Sequence, residues 1–322
     1  SGQVGGDVTI LLRGSRSIYG SNEPLFIIDG IPGSYSQVSP SDIESVDVLK
    51  DASSTAIYGS AGANGVVIIT TKRGKEGKVT VNFDAYYGFS GSPNYRHGMT
   101  RDEWVTYQQE AYKYKNGDYP TDMSALLGKQ DFIDAYNDGK WIDWIDEVSG
   151  NTATTQKYSL SVSSGTEKTK LFASTSYNRE EGLLNNENLN RYSLRLNLDQ
   201  QIFSWAKVGF TSNLVYRDLN SGVKNTFTKS LSAIPLGDAS TEKGEINHEY
   251  ITGQYSPMSD FIENQYVDNT RSTYLNMSGY VELTPVKDLT FTSRVNGTLN
   301  HSRRGQYWGE KCNANRPSYA GS

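Results

Sequence analysis

The side chains that most often carry out chemistry are few and scattered in this sequence. Its three histidines, His97, His248 and His301, form no His-Glu-x-x-His or similar metal-binding spacing, and no Gly-x-Ser-x-Gly nucleophile motif is present. Cys312 is the single cysteine, so neither an internal disulfide nor a multi-cysteine metal site can form. The sequence therefore predicts no enzyme active site, no metal site and no cofactor.

Two further clusters have the composition of ligand sites but the wrong spacing. The glycine-rich residues 59–65 could present backbone N–H groups to a phosphate, yet they precede the apolar run VVIITT instead of opening a helix. Asp143, Asp146 and Glu147 lack the ligand spacing of an EF-hand calcium loop. A tight turn is the better interpretation of residues 59–65, and a solvated helix face is the better interpretation of the three carboxylates.

Four aromatic residues fall in one long connection and leave two interpretations open. Trp104, Tyr107, Trp141 and Trp144 offer large flat surfaces, which suit stacking on a sugar or contact with a partner. They equally suit a small hydrophobic core that belongs to the connection itself.

Composition excludes other classes of function. The net charge is -5, so the chain has no basic field of the kind that neutralises phosphates, and nucleic-acid binding is disfavoured. No run of eighteen apolar residues occurs, which excludes a membrane-spanning helix. A transmembrane β-barrel remains possible, because its strands alternate and its average composition is polar and rich in tyrosine, of which this chain has 22.

Strict alternation of apolar and polar residues dominates the chain after residue 78. The clearest example places two sets on opposite faces: Tyr192, Leu194, Leu196 and Leu198 against Arg191, Ser193, Arg195, Asn197 and Asp199. A period of two predicts β-strands. Seven are expected, within residues 79–89, 155–164, 169–178, 191–199, 208–217, 272–284 and 289–300.

The connections between these strands differ in length in a regular way. Three are tight, at residues 165–167, 203–205 and 285–287, whereas 91–153 and 219–270 are very long and 181–189 is intermediate. Short turns at one rim and long loops at the other are typical of an outer-membrane barrel. A soluble β-sandwich has shorter strands, and its short and long loops are not segregated to opposite ends. A barrel is therefore favoured. Its arginines Arg191 and Arg195 should then face the lumen.

The first part of the chain has a different pattern of apolar residues. Residues 7–72 contain short apolar runs separated by turn signals, which predict four short strands. The pair Asp29-Gly30, followed by Pro32-Gly33, predicts a turn that ends a strand at Asp29. Within the first long connection, Thr100 and Glu103 have capping-box spacing and predict a helix to residue 115, with a second helical stretch near 131–147.

Three stretches resemble the plug of a TonB-dependent outer-membrane transporter of the SusC/RagA type: PLFIIDGIP at 24–32, DIESVDVLKDA at 42–52 and AIYGSAGANGVVIITTKRG at 56–74. The resemblance implies an all-β chain with a plug domain containing a small mixed sheet at residues 1–77. The N-terminal part of an antiparallel transmembrane β-barrel follows at 78–322, with about seven of 22 strands and helices in its long extracellular loops.

The resemblance also implies a function and partners. It predicts TonB-dependent import of glycans or peptides across the outer membrane of a Gram-negative cell, with a SusD-like surface lipoprotein, the TonB-ExbB-ExbD complex and outer-membrane lipid as partners. A receptor or adhesin that shares the fold without transporting is the alternative, and a soluble β-rich enzyme is disfavoured because no catalytic constellation is present.

The resemblance assigns roles to particular residues as well. The plug loops at 15–22 and 33–37 would reach the extracellular cavity, where Tyr19, Asn22 and Tyr35 are expected to face ligand. Polar contacts between plug and barrel are expected at Arg13, Lys50, Asp51, Arg191 and Arg195.

Overall fold

The computed structural model describes residues 4–6, 10, 12, 22–51, 55–91, 98–149, 152–184, 186–223 and 226–313. Its strands are β1 Leu25–Ile28, β2 Ile31–Gly33, β3 Ile43–Leu49, β4 Val66–Thr71, β5 Gly77–Ser90, β6 Ala153–Gly165, β7 Thr169–Glu181, β8 Asn188–Phe203, β9 Ala206–Asn220, β10 Glu249–Ile251, β11 Gln254–Tyr255, β12 Tyr266–Val286 and β13 Leu289–Trp308. Its α-helices are α1 Arg101–Asn116, α2 Met123–Leu127, α3 Gln130–Asn137, α4 Trp144–Ser149 and α5 Thr226–Ser232. Short 3₁₀ helices cover Tyr35–Gln37, Pro40–Asp42, Ala56–Gly62 and Pro257–Phe261.

The short strands near the start of the chain form a mixed sheet, which we call the small sheet, in the order β2-β1-β4-β3. β1 and β4 are parallel, and the other two pairings are antiparallel. Val66, Val67 and Ile69 of the central strand β4 are buried. This central position explains why β4 is a continuous apolar run and not an alternating one. One expected strand, at residues 8–14, falls mostly outside the described residues.

The predicted turn is confirmed at Asp29 and Gly30 but does not extend to Pro32 and Gly33, which lie in β2. The chain reverses at Asp29 with φ 49° and Gly30 with φ 86°, and β2 then pairs back along β1. Two consecutive residues with positive φ form the two-residue hairpin turn that Asp-Gly favours, because its twist matches that of the strands. Pro32 is tolerated in β2 because this strand lies at the edge of the sheet.

All seven expected long strands are present and form an antiparallel sheet, which we call the large sheet, in the order β13-β12-β9-β8-β7-β6-β5. β12 and β13 are 21 and 20 residues long, which exceeds the expected ranges. Neighbours in sequence are neighbours in the sheet, so the tight turns lie at one end and the long connections at the other. The predicted all-β fold with a small mixed sheet and an antiparallel long-stranded sheet is confirmed.

Residues 72–76 join the two sheets, whose strands do not pair with each other in the described part of the chain. A side chain on Gly74 would place its Cβ 2.3 Å from the backbone nitrogen of Leu171, so only glycine allows this linker to approach β7 so closely. Lys75 forms an exposed ion pair with Glu44 at 2.8 Å, and this hydrogen bond lowers the pKa of the Glu44 carboxyl.

The long connections contain the helices. α1 begins at the expected capping box, with the Thr100 and Glu103 side chains bonded to each other's backbone N–H. The stretch expected near 131–147 is two helices, α3 and α4, because Gly139 at φ 70° and a bridge between Trp141 and Leu236 interrupt it. None of the helices among the described residues is long and apolar enough to cross a membrane.

The two longest connections pack against each other around a shared hydrophobic core. Its buried members are Ile142, Trp144, Val148, Val223, Ala239, Tyr250, Met258 and Phe261. Trp144 packs edge-on against Tyr250 at 4.8 Å and donates its Nε1–H to the Ile234 carbonyl at 2.9 Å. Burial raises the pKa of Tyr250 to about 12. Trp144 therefore belongs to the loops' own core, while Tyr107 is exposed.

Candidate functional site

One face of β8 carries polar or charged residues at every second position and lies against the first part of the chain. Ser193, Arg195, Asn197 and Asp199 on this face are between 1% and 7% exposed. On the opposite face Tyr192, Leu194 and Leu196 are between 37% and 54% exposed. A strand that buries its charges and exposes its leucines needs polar partners on the buried side, because an uncompensated buried charge is very costly.

Arg195 lies at the centre of this interface. Its Nη1 donates to Thr71 Oγ1 at 3.1 Å and to Asp29 Oδ2 at 3.4 Å. Its Nε is 3.5 Å from Asp42 Oδ2, which is an ion-pair distance without hydrogen-bond geometry. The guanidinium is 3% exposed, so two carboxylates of the small-sheet region, and not water, compensate its charge. Such a buried pairing selects one docking position, since any displacement leaves a charge unpaired.

Asp29 reaches Arg195 because of the hairpin turn between β1 and β2. Its carboxylate accepts hydrogen bonds from the Thr71 backbone N–H at 3.0 Å and from Thr71 Oγ1 at 2.6 Å. The Asp29 carbonyl accepts from Arg294 Nη1 of β13 at 2.7 Å. The turn thus contacts two well-separated strands of the large sheet.

Asp42 ends a 3₁₀ helix and is 2% exposed. Ser174 Oγ of β7 donates to its Oδ1 at 2.6 Å, and Ser176 Oγ lies 3.3 Å from Ser39 Oγ. Short hydroxyl side chains on β7 therefore allow the 3₁₀ helix to lie directly against the large sheet.

Two asparagines extend the contact through backbone carbonyls. Asn197 Nδ2 donates to the Lys72 carbonyl at 2.7 Å, and Asn213 Nδ2 of β9 donates to the Gln37 carbonyl at 2.8 Å. These bonds satisfy the backbone carbonyls of one residue in the linker after β4 and one at the end of a 3₁₀ helix.

Asp199 anchors the end of the interface near the linker. It accepts from Arg73 Nη1 at 3.0 Å and from the Tyr280 hydroxyl of β12 at 2.6 Å. The ion pair is half-buried, with the Arg73 side chain 33% exposed and that of Asp199 9% exposed.

A cavity of about 620 Å³ opens at the other end of the interface, beside the end of β8 that leads into the connection at 182–187. Tyr35 and Ser34 line it from the first part of the chain, and Arg191 and Arg217 line it from the large sheet. Tyr35 is 38% exposed and lies in a short 3₁₀ helix, within the plug loop predicted at residues 33–37.

Glu187 lies just before β8, at the same end of the strand as the cavity. Burial raises the pKa of its carboxyl, although the hydrogen bond that it accepts from the Val4 N–H acts in the opposite direction.

The structure brings together some of the residues predicted from sequence. Arg195 contacts Asp29 and Asp42, and Arg191 lines the same cavity as Tyr35. Lys50 and Asp51 are exposed, Asn22 is partly buried, and Arg13 and Tyr19 lie outside the described residues. The ligand-facing role of Tyr19, Asn22 and Tyr35 stays a prediction.

Sequence reasoning missed the main partners of Arg195 and Asp199. It predicted contacts neither for Asp29 and Asp42, which pair with Arg195, nor for Arg73, which pairs with Asp199. The Asp-Gly pair at 29–30 did signal a turn, but not that the aspartate would point at a strand 166 residues away.

Comparison with known proteins relates this chain, with its small sheet docked on a long-stranded sheet, to TonB-dependent receptors. Residues 1–66 match the model of the TonB-dependent Receptor Plug Domain. TonB-dependent receptor P26 of Formosa agariphila is 29% identical over 95% of this chain and 30% of its own length. TonB-dependent receptor SusC of Bacteroides thetaiotaomicron is 32% identical over 63% of this chain and 19% of its own. The RagAB peptide importer in its open-open state superposes with a TM-score of 0.78 at 27% identity. The SusC/RagA resemblance is confirmed.

The small sheet corresponds to the plug of these relatives, and the large sheet corresponds to part of their barrel. The superposition with RagAB covers 92% of this chain and 36% of that one, so the chain spans about a third or less of the length of these relatives. The relatives are receptors and importers by name, not enzymes. The division of this chain at residue 77 into plug and barrel stays a prediction, although the linker at 72–76 ends at that point.

Proposed function

We propose that this chain is part of a TonB-dependent transporter that imports oligosaccharides or peptides across the outer membrane. A SusD-like surface lipoprotein would deliver the substrate, and the TonB-ExbB-ExbD complex would supply the energy. The observation that carries the proposal is the docking of the small sheet on the large sheet without strand pairing between them among the described residues, centred on Arg195. Such a plug can be displaced without breaking the backbone pairing of either sheet.

A row of tyrosines supports a membrane location. Tyr158, Tyr177, Tyr192 and Tyr216 are directly paired across β6, β7, β8 and β9, with ring centroids 4.9–6.4 Å apart. Tyrosine rows at one height are typical of the aromatic girdle where a barrel leaves the lipid.

The length of β8 below this row supports the same location. Phe203 and Trp205 stack at 5.3 Å at the tight-turn end and are exposed. The strand from Tyr192 to Phe203 is about 36 Å long at 3.3 Å per residue, or about 28 Å along the membrane normal at a 40° tilt. This height is close to the apolar band of about 25 Å in outer-membrane barrels.

The experiment is an uptake assay with the intact gene in its own cells. Fluorescent oligosaccharides and peptides are offered to wild-type cells, to cells lacking the gene and to cells lacking TonB, and internalised label is separated from surface-bound label by protease and glycosidase treatment. Uptake that requires both the gene and TonB is the expected result.

A different pattern would favour the alternative function. Surface binding that requires the gene, without TonB-dependent uptake, would identify a receptor or adhesin of the same fold. Co-purification of a SusD-like lipoprotein with the intact protein tests the partner separately.

A further inference from the structure

Charged side chains recur every four residues on one side of the chain between residues 187 and 199, namely Glu187, Arg191, Arg195 and Asp199. Three of the four contact the first part of the chain. Glu187 accepts from the Val4 N–H at 3.2 Å, Arg195 pairs with Asp29, and Asp199 pairs with Arg73. Arg191 is the exception: its Nε and Nη2 are buried and have no hydrogen-bond partner among the described residues.

A second arginine reinforces the unbalanced charge. Arg217 of β9 is directly opposite Arg191 in the strand register, and both line the 620 Å³ cavity. Like charges opposite each other destabilise a sheet. Arg217 Nη2 donates to the Gly5 carbonyl at 3.3 Å, which is a neutral acceptor. In the described part of the chain, no carboxylate lies within ion-pair distance of either guanidinium.

The cavity has the size and lining of a ligand site. Its volume is within the range of about 300–1,000 Å³ that small-molecule sites occupy. Three residues that carry hydroxyl groups, Ser34, Tyr35 and Ser36, line the cavity from the first part of the chain, and Phe26 adds an apolar surface. Lys157 lines the cavity too, so among the described residues three cationic side chains outnumber the two carboxylates, Glu23 and Glu180.

We propose that Arg191 and Arg217 bind a carboxylate group of the transported substrate, while the hydroxyl-bearing residues of the same cavity bind its neutral part. That the ligand is transported rests on the proposed function, whereas its binding does not. A guanidinium fork matches a carboxylate geometrically, and the buried Nε and Nη2 of Arg191 have no hydrogen-bond partner among the described residues to lose when the ligand arrives. The carboxylate belongs either to a uronic acid in an oligosaccharide or to a peptide.

The test is equilibrium binding to the intact, detergent-purified protein. Two matched probe pairs separate the sources of the carboxylate: tetragalacturonate against its methyl ester, and a hexapeptide with a free C-terminus against its amide. In at least one pair the acid should bind about tenfold or more tightly than its neutral twin, because a charge-assisted hydrogen bond is gained. Equal affinity of acid and neutral forms in both pairs, or no binding of either acid, overturns the proposal.

Variants locate the effect. Arg191→Gln should abolish the preference for the acid, and Arg191→Lys should retain part of it, which shows that a loss in the first variant is not a folding failure. Arg303→Gln is the matched control, since Arg303 is an exposed arginine on the opposite face of the large sheet and paired with Arg271 in the register. A preference that survives Arg191→Gln, or that disappears in Arg303→Gln, contradicts the assignment.

Uptake distinguishes this proposal from the proposed function. If TonB-dependent uptake occurs but acid and neutral probes enter equally, transport stands and the carboxylate site fails. If the purified protein prefers the acid through Arg191 but no probe is internalised, the site stands and transport fails.

Discussion

Two arginines four residues apart on the same face of β8 have opposite surroundings. Arg195 is packed between Asp29 and Asp42, whereas the buried Nε and Nη2 of Arg191 meet a cavity and another arginine. The same residue type on one strand therefore serves two purposes. Where the small sheet provides carboxylates, arginine fixes the position of the plug. Where it provides hydroxyls and space, arginine is left available for a ligand.

Removing Arg195 should have the largest effect. Arg195→Met in the intact protein leaves the Asp42 and Asp29 carboxylates buried without their counter-ion, which we expect to destabilise plug docking by about 3–5 kcal/mol. The measurement is limited proteolysis of the plug region together with calorimetric unfolding in detergent. Arg191→Met is the matched control and should change stability by less than about 0.5 kcal/mol or raise it, because it removes a like-charge pair. Equal destabilisation by both variants would refute the contrast between the two arginines.

A double-mutant cycle sharpens the origin of this effect. Asp42→Leu and Arg195→Met should each destabilise, and the double variant should be about 2 kcal/mol more stable than the sum of the single effects predicts. The reason is that the second substitution removes the charge stranded by the first. Additive effects would indicate that Arg195 and Asp42 have no interaction energy, although Arg195 Nε and Asp42 Oδ2 are 3.5 Å apart.

The linker end of the interface should respond less strongly. Tyr280→Phe removes the hydroxyl that donates to Asp199 at 2.6 Å, and we expect a loss of about 1.5 kcal/mol because Arg73 still pairs with the carboxylate. Thermal unfolding of the intact protein measures it. Tyr192→Phe, on the exposed face of β8, serves as the control and should be neutral.

The smallest effect is a pH dependence at the other end of β8. Because burial raises the pKa of Glu187, the folded state holds its proton more tightly than the unfolded chain does, and stability falls as pH rises from about 4.5 through the raised pKa. Glu187→Gln should flatten this part of the curve of melting temperature against pH. Glu44 offers the opposite sign, since its lowered pKa contributes stability that is lost as pH falls. A slope unchanged in Glu187→Gln would exclude Glu187 as its source.

Strand positions could be predicted from this sequence, whereas the partners of the charges could not. Alternation identified both faces of β8, because the period of two is a local property of the backbone. Pairing of Arg195 with Asp29 depends on how two sheets dock, and no local pattern records it. Lys50 and Asp51, for which contacts between plug and barrel are also expected, are exposed in this structure, and their contacts stay a prediction.

Sequence-based prediction also fails where the same residue types occur in two different local structures. Ile31, Pro32 and Gly33 have the composition of a turn, yet they form an edge strand because Asp29 and Gly30 had already reversed the chain. Trp144 was ambiguous for a similar reason, since an aromatic residue has the same appearance in sequence whether it covers a core or a ligand. Only the packing of two distant connections around it decides the matter.

The linker at 72–76 limits how far the plug can travel. The path from Thr71 at the end of β4 to Gly77 at the start of β5 is six residues, or about 21 Å when fully extended. β4 lies between β1 and β3 and pairs with both, so while it stays folded the linker tethers the whole small sheet to β5. If the proposed transport needs a wider opening than that, we expect it to come from local unfolding of the segments before β4, not from movement of the intact small sheet.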